Sequence, residues 1–190
     1  MAGTFLRTLM ACAAGLLVCG TAHAALREVT HTPSAGQYGS VAAALAVATD
    51  NDVIEIIDNS AVFTGAVHIN GAVLSKNNLT LRGKAGLNPR PTITGNGMAN
   101  PFDGGVRTVF TYQNAVDNLV VQNLIFQGTA SDDVVLDARF WNGGTFTNCD
   151  FLAVSGWNAV RSQVATTFNN CVISGANNTC LLYTSPSPRD

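Results

Sequence analysis

Three segments of this chain align on an asparagine, and their regular spacing constrains the fold more than any other feature. The asparagines are Asn123, Asn148 and Asn170, which follow one another after 25 and 22 residues. Each has a large apolar residue two positions before it, Leu or Cys directly after it, and Phe or Ile three positions after it. Repeats of this length that carry strands and no helical period stack as coils of a parallel β-helix. The sequence therefore predicts an all-β solenoid.

A short helix is predicted before the coils begin. Ser40 is a suitable N-cap for a helix over residues 41–49, which carries an apolar stripe. The stripe consists of Val41, Ala44, Leu45 and Ala48. Such a helix would cover the open end of the solenoid, where apolar core and an unpaired strand edge are otherwise exposed. We therefore expect it to act as an N-terminal cap.

The order of elements after residue 29 resembles a known superfamily. Residues 38–48 read as a Ser followed by an Ala-rich helix, and 52–56 as an Asp followed by a buried strand. This order, with 77–83 and 91–95 as a second coil, resembles the pectate-lyase-like right-handed parallel β-helix superfamily. The resemblance covers nearly all of 29–179 and implies that architecture. One departure is Ser60-Ala61-Val62-Phe63, which replaces the family's frequent Gly-x-Tyr.

In that superfamily an asparagine ladder lies at the tight turn between the second and third sheets. The resemblance implies that Asn123, Asn148 and Asn170 form such a ladder. The alternative is that they only occupy turns, because Asn tolerates left-handed backbone. With the ladder, about five coils result. The first sheet is expected to contain 53–57, 79–82, 108–112, 134–139 and 158–162, and the second 67–69, 92–94, 119–121, 145–147 and 166–168.

Candidate binding residues lie on the predicted first sheet. Alternation along 134–140 directs Asp133, Asp137 and Arg139 outward. An offset of 22 residues then places Arg161 over Arg139 in the next coil. Arg binds carboxylates in a bidentate fork, so such a pair suits an acidic ligand. The alternative is an exposed Asp137/Arg139 ion pair of little energetic value, with Arg161 solvated.

The resemblance implies a polysaccharide ligand, because pectate-lyase-like enzymes bind polysaccharide in a groove on the first sheet. A uronate lyase needs a cation, which is expected to be Ca²⁺ with Asp133 and Asp137 as candidate ligands. It also needs a base, for which Arg139 and Arg161 are candidates, and Asp137 completes the candidate catalytic set. The alternative to a lyase or glycoside hydrolase is a non-catalytic extracellular protein with a surface, adhesion or glycan-binding role.

Two tryptophans are predicted in turns beside the first sheet. Trp141 and Trp157 are candidate platforms for stacking on sugar rings, and capping of the solenoid core is the alternative. The longer motifs associated with pectate lyases, pectin esterases and polygalacturonases do not occur before Thr179. The enzyme hypothesis therefore depends on the resemblance and on the two arginines.

Both ends of the chain differ from the repeat. Residues 1–24 combine Arg7, an apolar stretch and the pattern Ala22-His23-Ala24, which is typical of a bacterial-style secretory leader cleaved before Ala25. The protein is therefore expected to be secreted, periplasmic or at the cell surface, with 25–179 as its solenoid domain. Residues 180–190 resemble translated sequencing-adapter DNA, with a Pro/Ser-rich linker as the alternative.

The composition narrows the class of partner. Charged residues are 12% of the chain and the net charge is −2, which disfavours nucleic acid. After the leader, no apolar stretch is long enough to span a membrane, and a monomer is expected. Cys149 and Cys171 each follow a repeat asparagine, so they should stack as neighbours facing the interior. Two buried thiols and a disulfide between coils both remain possible outcomes.

Overall fold

The computed structural model describes residues 24–65, 67–69, 76–95, 107–111, 116–129, 134–138, 141–154, 158–162, 166–175 and 180–182. One helix, α1 (Val41–Val47), lies in this part of the chain. The strands are β1 (Leu26–Val29), β2 (Val53–Ile56), β3 (Phe63–Thr64), β4 (Val67–Ile69), β5 (Thr80–Gly83), β6 (Thr92–Thr94), β7 (Arg107–Thr111), β8 (Val116–Gln122), β9 (Ile125–Gln127), β10 (Val134–Ala138), β11 (Trp141–Thr147), β12 (Asp150–Leu152), β13 (Asn158–Ser162), β14 (Thr166–Asn169), β15 (Val172–Ser174) and β16 (Cys180–Leu182).

The described strands form three parallel sheets. Sheet 1 has the order β1-β2-β5-β8-β11-β14, sheet 2 has β3-β6-β9-β12-β15, and sheet 3 has β4-β7-β10-β13-β16. From β2 onward the chain visits sheets 1, 2 and 3 in that order and then returns to sheet 1 one strand further along. Each strand pairs with its counterparts in the neighbouring coils. The predicted parallel β-solenoid is therefore confirmed.

Columns of apolar side chains fill the interior. On sheet 1 the register stacks Ile54, Leu81, Val121, Phe146 and Phe168. On sheet 2 it stacks Phe63, Ile93, Phe126, Phe151 and Ile173. Aromatic rings in neighbouring coils lie parallel, at centroid distances of 5.1 Å for Phe146 with Phe168 and 5.4 Å for Phe126 with Phe151. The apolar positions flanking each repeat asparagine therefore form the core, as predicted.

The helix covers the first coil. Its N-cap Ser40 accepts a hydrogen bond from the Ala43 amide at 3.1 Å. The predicted apolar stripe is buried, and the helix packs against β1, β2 and β4. It ends at Val47, two residues before the predicted end.

The sheet assignment of the first coils was wrong. β2 and β5 pair with β8 and therefore belong to the sheet that contains 119–121, whereas β4 pairs with β7. The reason is coil length. Asn78 and Asn118 occupy equivalent positions in successive coils but lie 40 residues apart, far more than the later repeat. Counting back by the later repeat therefore lost the phase.

Candidate functional site

The strand expected to carry the binding face is covered on both sides. All five residues of β10 are buried, and Asp137 is only 2% exposed. Val135, also expected to point outward, lies against the turn that follows β9, since a Cβ added at Gly128 would be 3.0 Å from Val135 Cγ2. The expectation of an exposed Asp137 is therefore wrong. Alternation predicts which side of a strand a residue occupies, but not whether a neighbouring loop covers that side.

The predicted stack of two arginines is also corrected. In the register of β10 with β13, Arg161 lies beside Asp137, 24 residues earlier. The offset of 22 holds for the asparagines of the same two coils, but not for their sheet 3 strands. Arg139 lies outside the described residues. The described pair is therefore one of opposite charge, between a half-buried guanidinium and a buried carboxylate. The Arg161 Nε is buried and has no hydrogen-bond partner within the described structure.

The remaining sequence candidates fall in different places. Asp133 and Trp157 lie outside the described residues. Trp141 was expected in a turn, but its backbone opens β11 and pairs with Val116 in sheet 1. Within the described residues, no group of three or more His, Cys, Asp or Glu side chains could hold a metal ion. Of the two predicted calcium ligands, only Asp137 therefore has a described environment.

The asparagine ladder is present. Asn148 Nδ2 donates to Asn123 Oδ1 at 2.9 Å, and Asn170 Nδ2 donates to Asn148 Oδ1 at 3.3 Å. All three residues have positive φ, between 51° and 56°. They occupy the turn between sheets 1 and 2, because β8 ends at Gln122 and β9 begins at Ile125. The amide chain and the left-handed turn thus occur together, which joins the two alternatives considered for these residues.

A second ladder was not predicted. Asn78 Nδ2 donates to Asn51 Oδ1 at 3.1 Å, and Asn118 Nδ2 donates to Asn78 Oδ1 at 3.0 Å. These three residues also have positive φ, and Gly143, with φ 75°, occupies the equivalent position in the next coil. Their spacing of 27 and 40 residues hides the repeat. The available signal was an asparagine directly before a buried leucine, as at Leu79 and Leu119.

Guanidinium groups form further links between coils. Arg27 pairs with Asp52 at 2.7 Å, and Arg82 pairs with Glu55 at 2.8 Å. In both cases the two residues lie on adjacent sheet 1 segments, so each ion pair joins neighbouring coils.

Arg90 makes the longest of these links. Its Nη1 donates to the Asn148 backbone oxygen and its Nη2 to Asp150 Oδ2, both at 2.6 Å. Its own coil is next to that of Asn123, because the Pro91 carbonyl accepts from the Ile125 amide. Arg90 therefore reaches past one coil to hold the turn of the following coil.

A histidine–aspartate pair lies near the N-terminal cap. His31 Nδ1 is 3.0 Å from Asp58 Oδ1, and the His31 ring stacks on Phe63 at a centroid distance of 3.9 Å. His31 and Phe63 help to line a cavity of about 270 Å³ beside the start of α1. His31 Nε2, however, is buried without a hydrogen-bond partner in the described region. The pair therefore does not present a free base to a ligand in this cavity.

Asp58 is held ionised by its surroundings. Burial acts to raise its pKa, but hydrogen bonds outweigh it and place the pKa well below the ordinary value of 3.8. The donors are the Thr30 hydroxyl at 2.7 Å, the His31 amide at 2.7 Å and the Ser60 amide at 2.9 Å. The carboxylate thus joins the segment after β1 to the segment after β2, which is a structural task.

Comparison with known proteins gives no relative. No protein-family model, no curated protein and no solved structure matches the chain. In the described residues, no helix is both long enough and apolar enough to cross a membrane. The functional argument therefore depends on the solenoid and on the use that its polar side chains make of one another.

Proposed function

We propose that the chain is a secreted, non-catalytic β-solenoid of the pectate-lyase-like architecture, with an adhesive, surface or glycan-binding role outside the cell. The observation that carries this proposal is the direction of its polar contacts. Two asparagine ladders and three arginine ion pairs link one coil to the next along the stack. Side chains used in this way stabilise an elongated body, as expected of a scaffold.

The engagement of the carboxylates argues against hydrolysis. A glycosidase of this fold needs two carboxyl groups that flank a bound glycosidic linkage. Among the described residues, Asp52, Glu55, Asp58 and Asp150 all accept bonds from side chains of the same molecule. These four carboxylates are therefore committed to the structure. Export is part of the proposal and is supported by the leader pattern of residues 1–24.

Recognition of an acidic glycan is the more specific form of this role, and Arg161 favours it. Its guanidinium is half-buried, its Nε lacks a partner, and it lies on sheet 3. A buried donor without an acceptor carries an energetic penalty, which a carboxylate ligand in fork geometry would relieve. A Ca²⁺-dependent lyase acting on such a glycan is the enzymatic alternative.

Retention on immobilised polygalacturonate tests the proposal. We expect the protein to bind in low salt and to elute as ionic strength rises, because exposed charge contacts are screened over about 8 Å at physiological salt. Arg161→Ala should weaken retention several-fold. Arg82→Ala removes one charge from sheet 1 and is the matched control, which should bind like the wild type.

Two results would change this interpretation. Equal retention of both variants would remove Arg161 from consideration, and no retention on polygalacturonate, alginate or hyaluronate would exclude acidic-glycan binding. Release of unsaturated, ultraviolet-absorbing products in the presence of Ca²⁺ would replace the non-catalytic role with a lyase.

A further inference from the structure

Asp52 is a fully buried carboxylate at the start of the solenoid, with 0% exposure. Its Oδ2 accepts from Arg27 Nε at 2.8 Å, from Arg27 Nη2 at 2.7 Å and from the Thr49 amide at 2.9 Å. Its Oδ1 accepts from the backbone nitrogen of Ala25 at 2.8 Å. One oxygen is therefore occupied by an arginine, and the other faces the nitrogen of the residue predicted to begin the mature chain.

Ala25 is fixed in this position by its other backbone contact. Its carbonyl accepts from the Val53 amide at 2.9 Å, and the next residue, Leu26, begins the parallel pairing of β1 with β2. Ala24 is exposed, whereas Ala25 is half-buried. The chain therefore passes from solvent into the fold between these two residues, at the bond where the sequence predicts cleavage.

We propose that Asp52 is the receptor for the α-ammonium group that forms when a leader peptidase hydrolyses the Ala24–Ala25 bond. This proposal rests on the proposed export. In the reaction, water adds to the Ala24 carbonyl carbon and the bond to the Ala25 nitrogen breaks. Ala24 leaves as a carboxylate, and the freed nitrogen takes up a proton to become an ammonium group. The neutral amide that contacts Asp52 is thereby converted into a cation.

This conversion strengthens an existing contact and creates no new one. A hydrogen bond between two ions is roughly twice as strong as one between neutral groups. The carboxylate is already buried and its desolvation already compensated by Arg27, so a second cation adds attraction without a second burial of the anion. Processing would therefore lock β1 onto β2.

The neighbouring charges set the expected pH dependence. The groups that face Asp52 are Arg27 on β1, Tyr38, which accepts from Arg27 at 3.1 Å, and Lys76, whose pKa is lowered by burial and by the charge of Arg27. Asp50 lies nearby and accepts from the Asn77 amide. The two cations disfavour a third. The contact of 2.8 Å with Asp52 is closer than either, so we expect a net rise in the α-amino pKa above its usual value of about 7.7–8.0.

Two chains that differ by one residue test the proposal. One begins at Ala25 and the other at Ala24, each is released from an N-terminal fusion, and both continue to Asp190. Both carry an α-ammonium group, but only the first places it against Asp52. At pH 6 we expect the Ala25 chain to melt about 2–6 °C higher. A raised folded pKa gives stability below the unfolded pKa and loses it at higher pH, so the difference should vanish as the pH rises above 8.

Asp52→Asn in both chains is the control, and it should abolish the difference between them. Equal melting of the two unsubstituted chains at pH 6 would overturn the proposal, and this comparison does not require the Asn variants to fold. N-terminal sequencing of the exported protein should give Ala25 as the first residue, and another start would also overturn it. Retention on polygalacturonate should be the same for both chains, so this proposal can fail independently of glycan binding.

Discussion

The two stacked cysteines differ in their surroundings although they share a column. Both thiols are free, with Cys149 buried and Cys171 half-buried. Burial raises the pKa of Cys149 to about 12, and its Sγ donates to the Val121 and Thr147 carbonyls at 3.6 and 3.4 Å. Its thiolate is therefore almost absent at neutral pH. The sequence predicted a pair of equally buried thiols, and the structure separates them.

This difference predicts selective modification. At pH 8 a thiol reagent should label Cys171 first, and Cys149 only after denaturant is added, because reaction requires an accessible thiolate. Mass spectrometry of labelled peptides over time measures the order. Cys171→Ser should leave a protein that reacts only when unfolded. Fast labelling of Cys149 in the native protein would show that the coil register is wrong.

The Asp58 carboxylate predicts a second residue-scale effect, on stability in acid. Its folded pKa is below the ordinary value, so its contribution to stability is present above about pH 4 and is lost as the pH falls through the folded pKa. Asp58→Asn should cost about 1–3 kcal/mol at pH 7, because three donors lose a charged acceptor. It should also reduce the change in melting temperature between pH 5 and pH 2. Asp50→Asn, at an exposed site, is the matched control, and equal pH profiles for the two variants would contradict the assignment.

Asn148 is the central described member of its ladder, which makes it the most informative element-scale substitution. It donates to Asn123 and accepts from Asn170, and its φ is 54°. Asn148→Ala removes both amide bonds and places a Cβ in left-handed backbone, with an expected cost of about 2–4 kcal/mol. Asn148→Gly removes the amides but tolerates the backbone, so its cost should be smaller.

Urea unfolding of both variants measures these costs. Asn170→Ala provides a comparison within the same ladder, because Asn170 is exposed and donates to Asn148 alone. If Asn148→Gly were as damaging as Asn148→Ala, the amide chain would dominate over the turn geometry. If neither differed from the wild type, the ladder would contribute nothing to stability.

The elements most accurately predicted were those fixed by a local pattern. The repeat around Asn123, Asn148 and Asn170 placed Phe126 and Phe151 in the core, because a turn of constant geometry sets the same inward positions in each coil. Ser40 likewise predicted the start of α1. The phase of β2 and β5 could not be predicted in this way, because the coil between Asn78 and Asn118 is longer than the repeat.

The polar contacts were predicted less well, since they depend on which coils become neighbours. The sequence placed Asp137 on an outward face, but could not show that the strand would be covered. Arg90 and Asp150 meet across 60 positions, and His31 meets Asp58 across 27. Such pairs have no local signal. They can be found only after the register of the stacked coils is known.

At the scale of the whole molecule, stability should be close to a sum over coils. Each coil contacts mainly its neighbours, so in-register removal of one coil should preserve the remaining interfaces. Arg90 departs from this rule, because it reaches past the coil of Asn123 to Asn148 and Asp150. It therefore makes the folding of three successive coils more cooperative than contacts between neighbours alone would.

Deletion of residues 124–148 tests this additivity. It joins Asn123 to Cys149, so that each remaining ladder asparagine is still followed by an apolar residue and Asn123 takes the place of Asn148 beneath Asn170. We expect a folded β protein that unfolds cooperatively but at a lower temperature, since it loses one coil and the Asn148 contact of Arg90. Deletion of 124–143 removes fewer residues but breaks the register, so that apolar residues fall on the outer face, and it should aggregate. Circular dichroism and thermal melts distinguish the two variants. If the shorter deletion were equally stable or more stable, the register of the stacked coils would not be what holds this molecule together.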